Sequence, residues 1–393
     1  MPFQAQPVLT ESQLHRWRLV EDFRDRLERV LRPLQGGHPS WNDPQRRLLY
    51  IDYLSLYLFG LLNPVVRTMR GLCAASHLQR VQEEICSRPV SLGSFSEAQH
   101  LLDPALLEQV FIGLSTEVHQ RDPTDWPLKL RNWMAHDGTL WPALPRMSWA
   151  LYGAGRGGQS RAVKLHLSLH LLADKPVRAT VRRGRDCERA VWQEHWRRGD
   201  GFVGDRYFGE DYRLLDKLTQ RECVYVLRLR EQAVITIEEE LPLSAAAQAA
   251  GVVRQAWVHL GVRRCSGRVR VIWVQAEGHE LILVTNLTPE ELPAEWVSLL
   301  YRKRWQVELF FRWIKCILGC RHWLAESPEG VALQVYLALI AALLLQLYTG
   351  RRPSKRMMEL IQFYLMGVAS LEELTQGLQR ELQRLEKAKN KKN

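Results

Sequence analysis

Eighteen consecutive residues, VALQVYLALIAALLLQLY at 331 to 348, carry no charge. A run of that length can span a hydrocarbon layer, and it equally suits a helix closed inside a protein. Gln334 and Gln346 interrupt it, and no second such segment exists. It also follows an amphipathic stretch in a basic chain. The expectation is therefore a core helix rather than a membrane span, and a core helix needs a large surrounding domain. The chain has 393 residues, 46% of them hydrophobic, enough for two or three domains and too apolar for wholesale disorder.

The formal net charge is +11 and the pI about 9.4. Such an excess suits a polyanion, either nucleic acid or an acidic membrane surface. Seven cysteines, at 73, 86, 187, 223, 265, 316 and 320, form no pair of CxxC motifs. That argues against a disulfide scaffold and a zinc ribbon. Cys316 and Cys320 stand one helical turn apart and predict packing rather than metal binding. MPFQAQPVLTESQ has no cationic region followed by an apolar core, so no signal peptide is expected and a cytoplasmic location fits.

Texture divides the chain. Residues 1–125 read as helices, with Arg67, Arg70, Arg80 and Arg88 spread through them, and a helical DNA-binding region and a plain helical packing domain suit them equally. Ser94, Ser96 and Glu97 predict a helix start. Residues 126–230 interleave strands and helices around a mixed sheet, the first part of an α/β core. There AVKLHLSLH predicts a half-buried strand with Lys164, His166, Ser168 and His170 on its polar face. Residues 231–297 read as a β-rich insertion. Residues 298–350 return to the core, and 351–393 form a helical, basic C-terminal tail with possible dimerisation. EGHE predicts a hairpin turn within the insertion, and no internal repeat is found.

YRKRWQVELFFRWIK, residues 301–315, sets one carboxylate among five cations and five aromatics. At 100° per residue, Tyr301, Arg304, Glu308, Arg312 and Lys315 share one stripe of a helix expected from about 295 to 319. Arg304 and Arg312 lie four residues either side of Glu308, so surface ion pairing explains the stripe as one alternative. The other is a phosphate-handling face, since Tyr and Lys both meet phosphates readily. Two further acids favour the second reading. Asp137 stands in a strand-and-turn setting before Gly138-Thr139. Asp205 ends the short apolar strand FVGD. Asp137 as a turn former and Asp205 as a helix cap are the local alternatives, with Asp200, Glu210, Asp211 and Asp216 as competitors. Two strand-end aspartates and a helical glutamate are what a two-metal phosphoryl-transfer site requires.

With these motifs the chain resembles the DDE transposases of the insertion-sequence 4 family. Tyr301, Arg304, Glu308 and Lys315 meet the signature Tyr-x2-Arg-x3-Glu-x6-Lys; DGT at 137–139 and Asp205 in GDRYF complete the match, over roughly residues 125–350. The resemblance implies an RNase H-like mixed-sheet core with an inserted all-β subdomain. It implies that Asp137, Asp205 and Glu308 hold two Mg²⁺ or Mn²⁺ ions, and that Tyr301, Arg304, Arg312 and Lys315 contact DNA. Cut-and-paste transposition would follow, through cleavage at terminal inverted repeats, hairpin ends and strand transfer, by a homodimer on paired DNA ends. One departure stands out: where the family often has an aromatic that holds a flipped base, this chain has Glu280. Trp257 and Trp273 are the alternative stacking residues. The rival readings are a catalytically inactive, transposase-derived DNA-binding protein, a stand-alone metal-dependent nuclease and a membrane-associated basic protein.

Overall fold

The computed structural model describes residues 18–32, 48–120, 132–155, 158–261, 267–276, 278–320 and 322–390. The N-terminal MPFQAQPVLTESQ, Cys265, Glu277 of the expected hairpin turn and the last three residues of the tail lie outside them. The chain divides into two compact units. One comprises residues 1–121, 141–161 and 312–393, the other 122–140 and 162–311.

The first unit is mainly helical. Its centre is the helix Pro328–Thr349, whose apolar window is 89% buried, as a core helix requires. Ser327 caps it by accepting from the Gly330 N–H at 3.0 Å. Pro328 at its first turn lacks the donor that would otherwise be orphaned, and Gly350 ends it in the left-handed region, φ 71°. Gln334 is tolerated inside because its amide is fully used. It accepts from the Tyr57 hydroxyl at 2.8 Å and from the Leu324 N–H at 3.0 Å, and donates to the His322 carbonyl at 2.7 Å. The helices Arg18–Leu31, Tyr50–Leu62 and Ala105–Gln120 belong to the same unit. The helix expected near Ser94 begins at Leu92 instead, because Ser91 supplies the cap, accepting from the Ser94 N–H at 3.1 Å. Cys316 ends its helix and is exposed, whereas Cys320 lies beyond it and is buried.

The second unit is built on one mixed sheet. Its strands are β1 (Trp133–Pro142), β3 (Gly158–His170), β4 (Lys175–Arg183), β5 (Gly201–Gly204), β6 (Val224–Arg228), β7 (Ile235–Glu240), β8 (Val252–Leu260), β9 (Val269–Ala276) and β10 (His279–Thr285). A short β2 (Leu151–Gly155), in the first unit, pairs antiparallel with the start of β3. Across the sheet the order is β4-β3-β1-β5-β6-β10-β9-β8-β7. β5 lies parallel to both β1 and β6, and β10 returns antiparallel to β6. The sheet is mixed, as expected, and the insertion continues it rather than standing apart. The insertion also carries one short helix, Ala245–Ala249, where only strands were expected.

β3 corrects the expectation of a half-buried strand. His166 and Ser168 are fully buried and His170 nearly so. Both faces of the strand are covered, as happens in a sheet with layers on each side. The polar face becomes an internal cluster: Ser168 Oγ lies 3.1 Å from His136 Nδ1 and 3.3 Å from His195 Nδ1, and Thr180 Oγ1 lies 2.8 Å from His195 Nε2.

Candidate active site

Asp137 lies in the middle of β1 rather than at a strand end, because Gly138 and Thr139, expected to form a turn, continue the strand to Pro142. The strand is buried through His136, partly open from Asp137 to Leu140, and buried again at Trp141. A Cβ at Gly138 would meet the Glu188 carboxylate at 2.7 Å, so a larger residue there would push that carboxylate aside. The Gly138 N–H donates to Asp137 Oδ1 at 2.8 Å. Burial raises the Asp137 carboxyl, and the neighbouring Glu188 and Asp205 charges raise it further, to about 7. Glu188 is itself held by Lys164 Nζ at 3.2 Å.

Asp205 arrives by register. In the parallel pair Ala135 faces Val203, so Asp137 and Asp205 both sit two residues beyond one aligned pair, on adjacent strands about 4.8 Å apart. Asp205 also caps the short helix Arg206–Gly209, accepting from the Tyr207 N–H at 2.9 Å. The cap role and the site position therefore coexist.

Glu308 comes from a helix that differs from the one expected. The stretch forms two helices, Ala294–Lys303 and Gln306–Cys316, separated by a tight turn in which Arg304 N–H bonds back to Tyr301 O and Val307 N–H to Arg304 O. Three-residue bonds of this kind tighten the helix and re-aim the turn after them. Tyr301 and Arg304 thus end one helix while Glu308 opens the next. The turn places the Arg304 guanidinium between two acids, 2.8 Å from Glu308 Oε1 and 4.0 Å from Asp137 Oδ2. Arg304 is the first of the flanking pair to be realised; Arg312 is exposed and is not at Glu308. The Tyr301 ring centroid lies 5.9 Å from the Arg304 guanidinium carbon. Its hydroxyl pairs with Arg228, and burial holds its pKa above the ordinary value.

The unit boundary runs through the second helix, between Phe311 and Arg312. Arg312 and Lys315 therefore belong to the helical unit, where Lys315 Nζ stands 4.6 Å above the Trp141 ring. Of the two tryptophans, Trp273 is buried in the sheet core. Trp257 is half-buried on β8, with the Arg268 guanidinium 4.9 Å from its ring centroid.

Sequence reasoning missed Glu188 and Arg228. Both reach the site from elements remote in sequence, and no local motif marks either. Gly138 was the available signal for Glu188, since a glycine inside a strand implies that something passes close by.

Asp137, Asp205 and Glu308 are hard oxygen donors suited to a divalent cation. Among the described residues, no three acid, His or Cys side chains stand close enough to enclose an ion as they sit. Arg304 occupies the place of positive charge between Asp137 and Glu308. The donor chemistry fits a divalent metal, on condition that the guanidinium yields.

The family described as "Transposase DDE domain" matches residues 130–344, more than half of the chain. The probable transposase for insertion sequence element IS5377 of Geobacillus stearothermophilus is 27% identical over 205 residues, 51% of this chain and 52% of that one. The putative transposase y4zB of Sinorhizobium fredii is 41% identical over 73 residues, 19% of this chain and 20% of its own. The putative transposase InsL for insertion sequence element IS186A of Escherichia coli is 38% identical over 87 residues, 22% and 23% of the two chains. The chain thus spans about half the length, or less, of the curated relatives it matches. Among solved structures, the piggyBac transposase synaptic complex with hairpin DNA aligns at 10% identity and a TM-score of 0.44, over 96% of this chain and 84% of that one. A likeness that loose carries no argument.

Proposed function

The chain belongs to the transposase DDE domain family, and from that premise we propose that it is a DNA transposase of the insertion-sequence 4 type. It would cut DNA at the terminal inverted repeats of an insertion sequence and join the freed ends to target DNA. One observation carries the reading: Asp137 and Asp205 occupy matched positions on adjacent parallel strands, and Arg304 joins Asp137 to Glu308. Acids crowded so that one is pushed up to about 7 are a poor structural choice, and such groups mark functional sites.

Asp137, Asp205 and Glu308 would hold two Mg²⁺ ions, or Mn²⁺ in their place. Metal there supplies Lewis acidity for the attacking and leaving oxygens of a phosphoryl transfer. The protein's own groups position the DNA. Arg304, released from the two acids, can turn to a phosphate as a planar fork. Tyr301, fixed by Arg228, offers a hydroxyl beside it. Arg312 and Lys315 extend the grip along the backbone, adding charge and geometry rather than proton transfer. If cleavage passes through hairpin ends, Trp257 can offer a ring face to an extruded base, whereas Trp273 would first have to leave the core. The partners would be double-stranded terminal repeats and target DNA, with a homodimer pairing the ends, in the cytoplasm.

The test uses the DNA that flanks the gene. Asp137→Asn, Asp205→Asn and Glu308→Gln are each expected to lower cleavage in Mg²⁺ by about 1000-fold while the ends stay bound. Binding without cutting by the wild type, in Mg²⁺ and in Mn²⁺, would favour a catalytically inactive DNA-binding protein. Equal cutting by Glu308→Gln would remove Glu308 from the site.

A further inference from the structure

The residue two places beyond Asp205 is an aromatic at an open cavity. Tyr207 stands on the short helix Arg206–Gly209, the one that Asp205 caps, and is 38% exposed. Together with Asp205, Arg206 and Arg230 it lines a cavity of about 440 Å³, within the range of small-ligand sites, roughly 300–1,000 Å³. All of these residues lie in the sheet unit. A single exposed ring on a surface needs no explanation. One that lines a cavity beside an acid of the proposed site suits a flat partner.

The ring is held in place. Arg189, on the helix Glu188–Glu194, sets its guanidinium carbon 4.1 Å from the ring centroid. Its Nε donates to the Tyr207 carbonyl at 3.0 Å, and its Nη2 donates to the same oxygen. Glu210 Oε2 holds that guanidinium from 3.8 Å. The Tyr207 hydroxyl and the Cys187 thiol are hydrogen-bond partners. Gly209 lies so close to the Arg228 carbonyl that a Cβ has no room there, which seats the short helix on β6. Arg189 backs the ring and is not among the residues that line the cavity. A ring tied at its carbonyl and its hydroxyl loses little freedom when a partner stacks on it.

We infer that Tyr207, backed by Arg189, is a stacking platform for an unpaired nucleobase of DNA held at Asp205. An aromatic ring takes the π-face of any base, and the guanidinium behind it keeps the ring in position. Arg206 brings a cationic head to the same cavity for the phosphate of that nucleotide. The two tryptophans stand farther off. Along the order β5-β6-β10-β9-β8, strands about 4.8 Å apart put β9, with Trp273, roughly 14 Å from β5, and β8, with Trp257, roughly 19 Å from it. Tyr207 follows Asp205 by two residues. The inference rests on the transposase reading in naming DNA as the source of the base.

The full-length protein is mixed, without divalent metal so that cutting plays no part, with duplexes made from the DNA that flanks the gene. One is fully paired; the others carry a single unpaired thymidine, walked inward from the end. By competition anisotropy the wild type is expected to bind one of the latter about tenfold more tightly than the paired duplex, and an abasic nucleotide at that place should cancel the gain. Tyr207→Ala should lose the preference, whereas Tyr207→Phe and Tyr207→Trp, which keep a ring, should retain it. With 5-iodouracil as the unpaired base, irradiation of the wild-type complex should join it to Tyr207, as mapped by mass spectrometry. That reading needs no variant, and it decides the matter if Tyr207→Ala fails to fold. A crosslink at Trp257 or Trp273, a wild type without preference, or a preference that survives Tyr207→Ala overturns the platform. Failure to bind any duplex would remove the transposase reading and the platform together. Failure of end cleavage in Mg²⁺, with the preference and the crosslink intact, would count against the proposed function and leave the platform standing.

Discussion

The central helix of one unit and the sheet of the other bury different kinds of material. In the helical unit the long helix Pro328–Thr349 is mostly hydrocarbon, and the Gln334 amide within it is hydrogen-bonded through both its oxygen and its nitrogen. In the sheet unit the layers close over His136, His166, His195, Lys175, Asp200 and Arg270, and Asp137 sits half-covered beside two more acids. A core of the first kind needs only the right volume and pattern. A core of the second kind loses stability to desolvation, and persists because it carries groups that must be held in one place. The difference locates the buried ionisable groups: the central helix of one unit buries no acid, cation or histidine, and the sheet of the other encloses a cluster of them.

The sharpest way to break this contrast is acid. Burial lowers the histidines: His136 falls well below its ordinary value, His166 to about 3 and His195 to about 4. Each stays neutral in the folded state while it would take a proton in the unfolded chain. Their contribution is therefore present above about pH 6.5 and is lost as pH falls towards 4. Asp137 acts with the opposite sign, since its raised carboxyl keeps a proton up to about 7 in the folded state. His166 and His195 set against Asp137 leave a net of about one proton, a loss of about 1 kcal/mol per pH unit between about pH 6 and 5, with His136 acting in the same direction as the other histidines. Hydrogen exchange by mass spectrometry should show peptides of the sheet unit opening first, and a triple His136→Asn, His166→Asn, His195→Asn variant should lose that slope if it folds. Equal acid sensitivity of the two units would break the contrast.

A smaller effect sharpens it from the other side. Leu337 is fully buried in the long helix. Leu337→Ala should cost about 2–5 kcal/mol through lost transfer energy and a cavity. The loss should be the same at pH 5 and pH 8, since no titrating group is involved, and denaturant melts at the two values check it.

Some of this was legible in the sequence and some was not, for identifiable reasons. The buried helix could be read because an uncharged apolar run is a short local pattern, and local patterns of the same kind singled out Asp137, Asp205 and Glu308 for the site proposed above. The break at Arg304 could not. Helical periodicity placed Tyr301 to Lys315 on one continuous stripe, and only the three-residue hydrogen bonds at 301–307 show that the stripe is folded in two. The polar face of β3 was misjudged because alternation reveals two faces but not whether a second layer covers them. Glu188 and Arg228 were invisible because they meet Asp137 and Tyr301 by topology alone. The unsuspected role of Ser91 over Ser94 is a matter of three residues, within the usual uncertainty of a helix start.

The central claim is that Asp137, Asp205 and Glu308 form one metal site, and iron-directed cleavage of the chain tests it most directly. Fe²⁺ takes the place of Mg²⁺, ascorbate and peroxide generate hydroxyl radicals at the bound ion, and the cut peptides are mapped. The expected result is cuts within a few residues of 137, 205 and 308 in one sample, suppressed by excess Mg²⁺ and absent in Asp137→Asn. Cuts confined to other segments, or cuts near 137 and 205 with none near 308, would contradict the site and leave Arg304 and Glu308 as an ordinary ion pair.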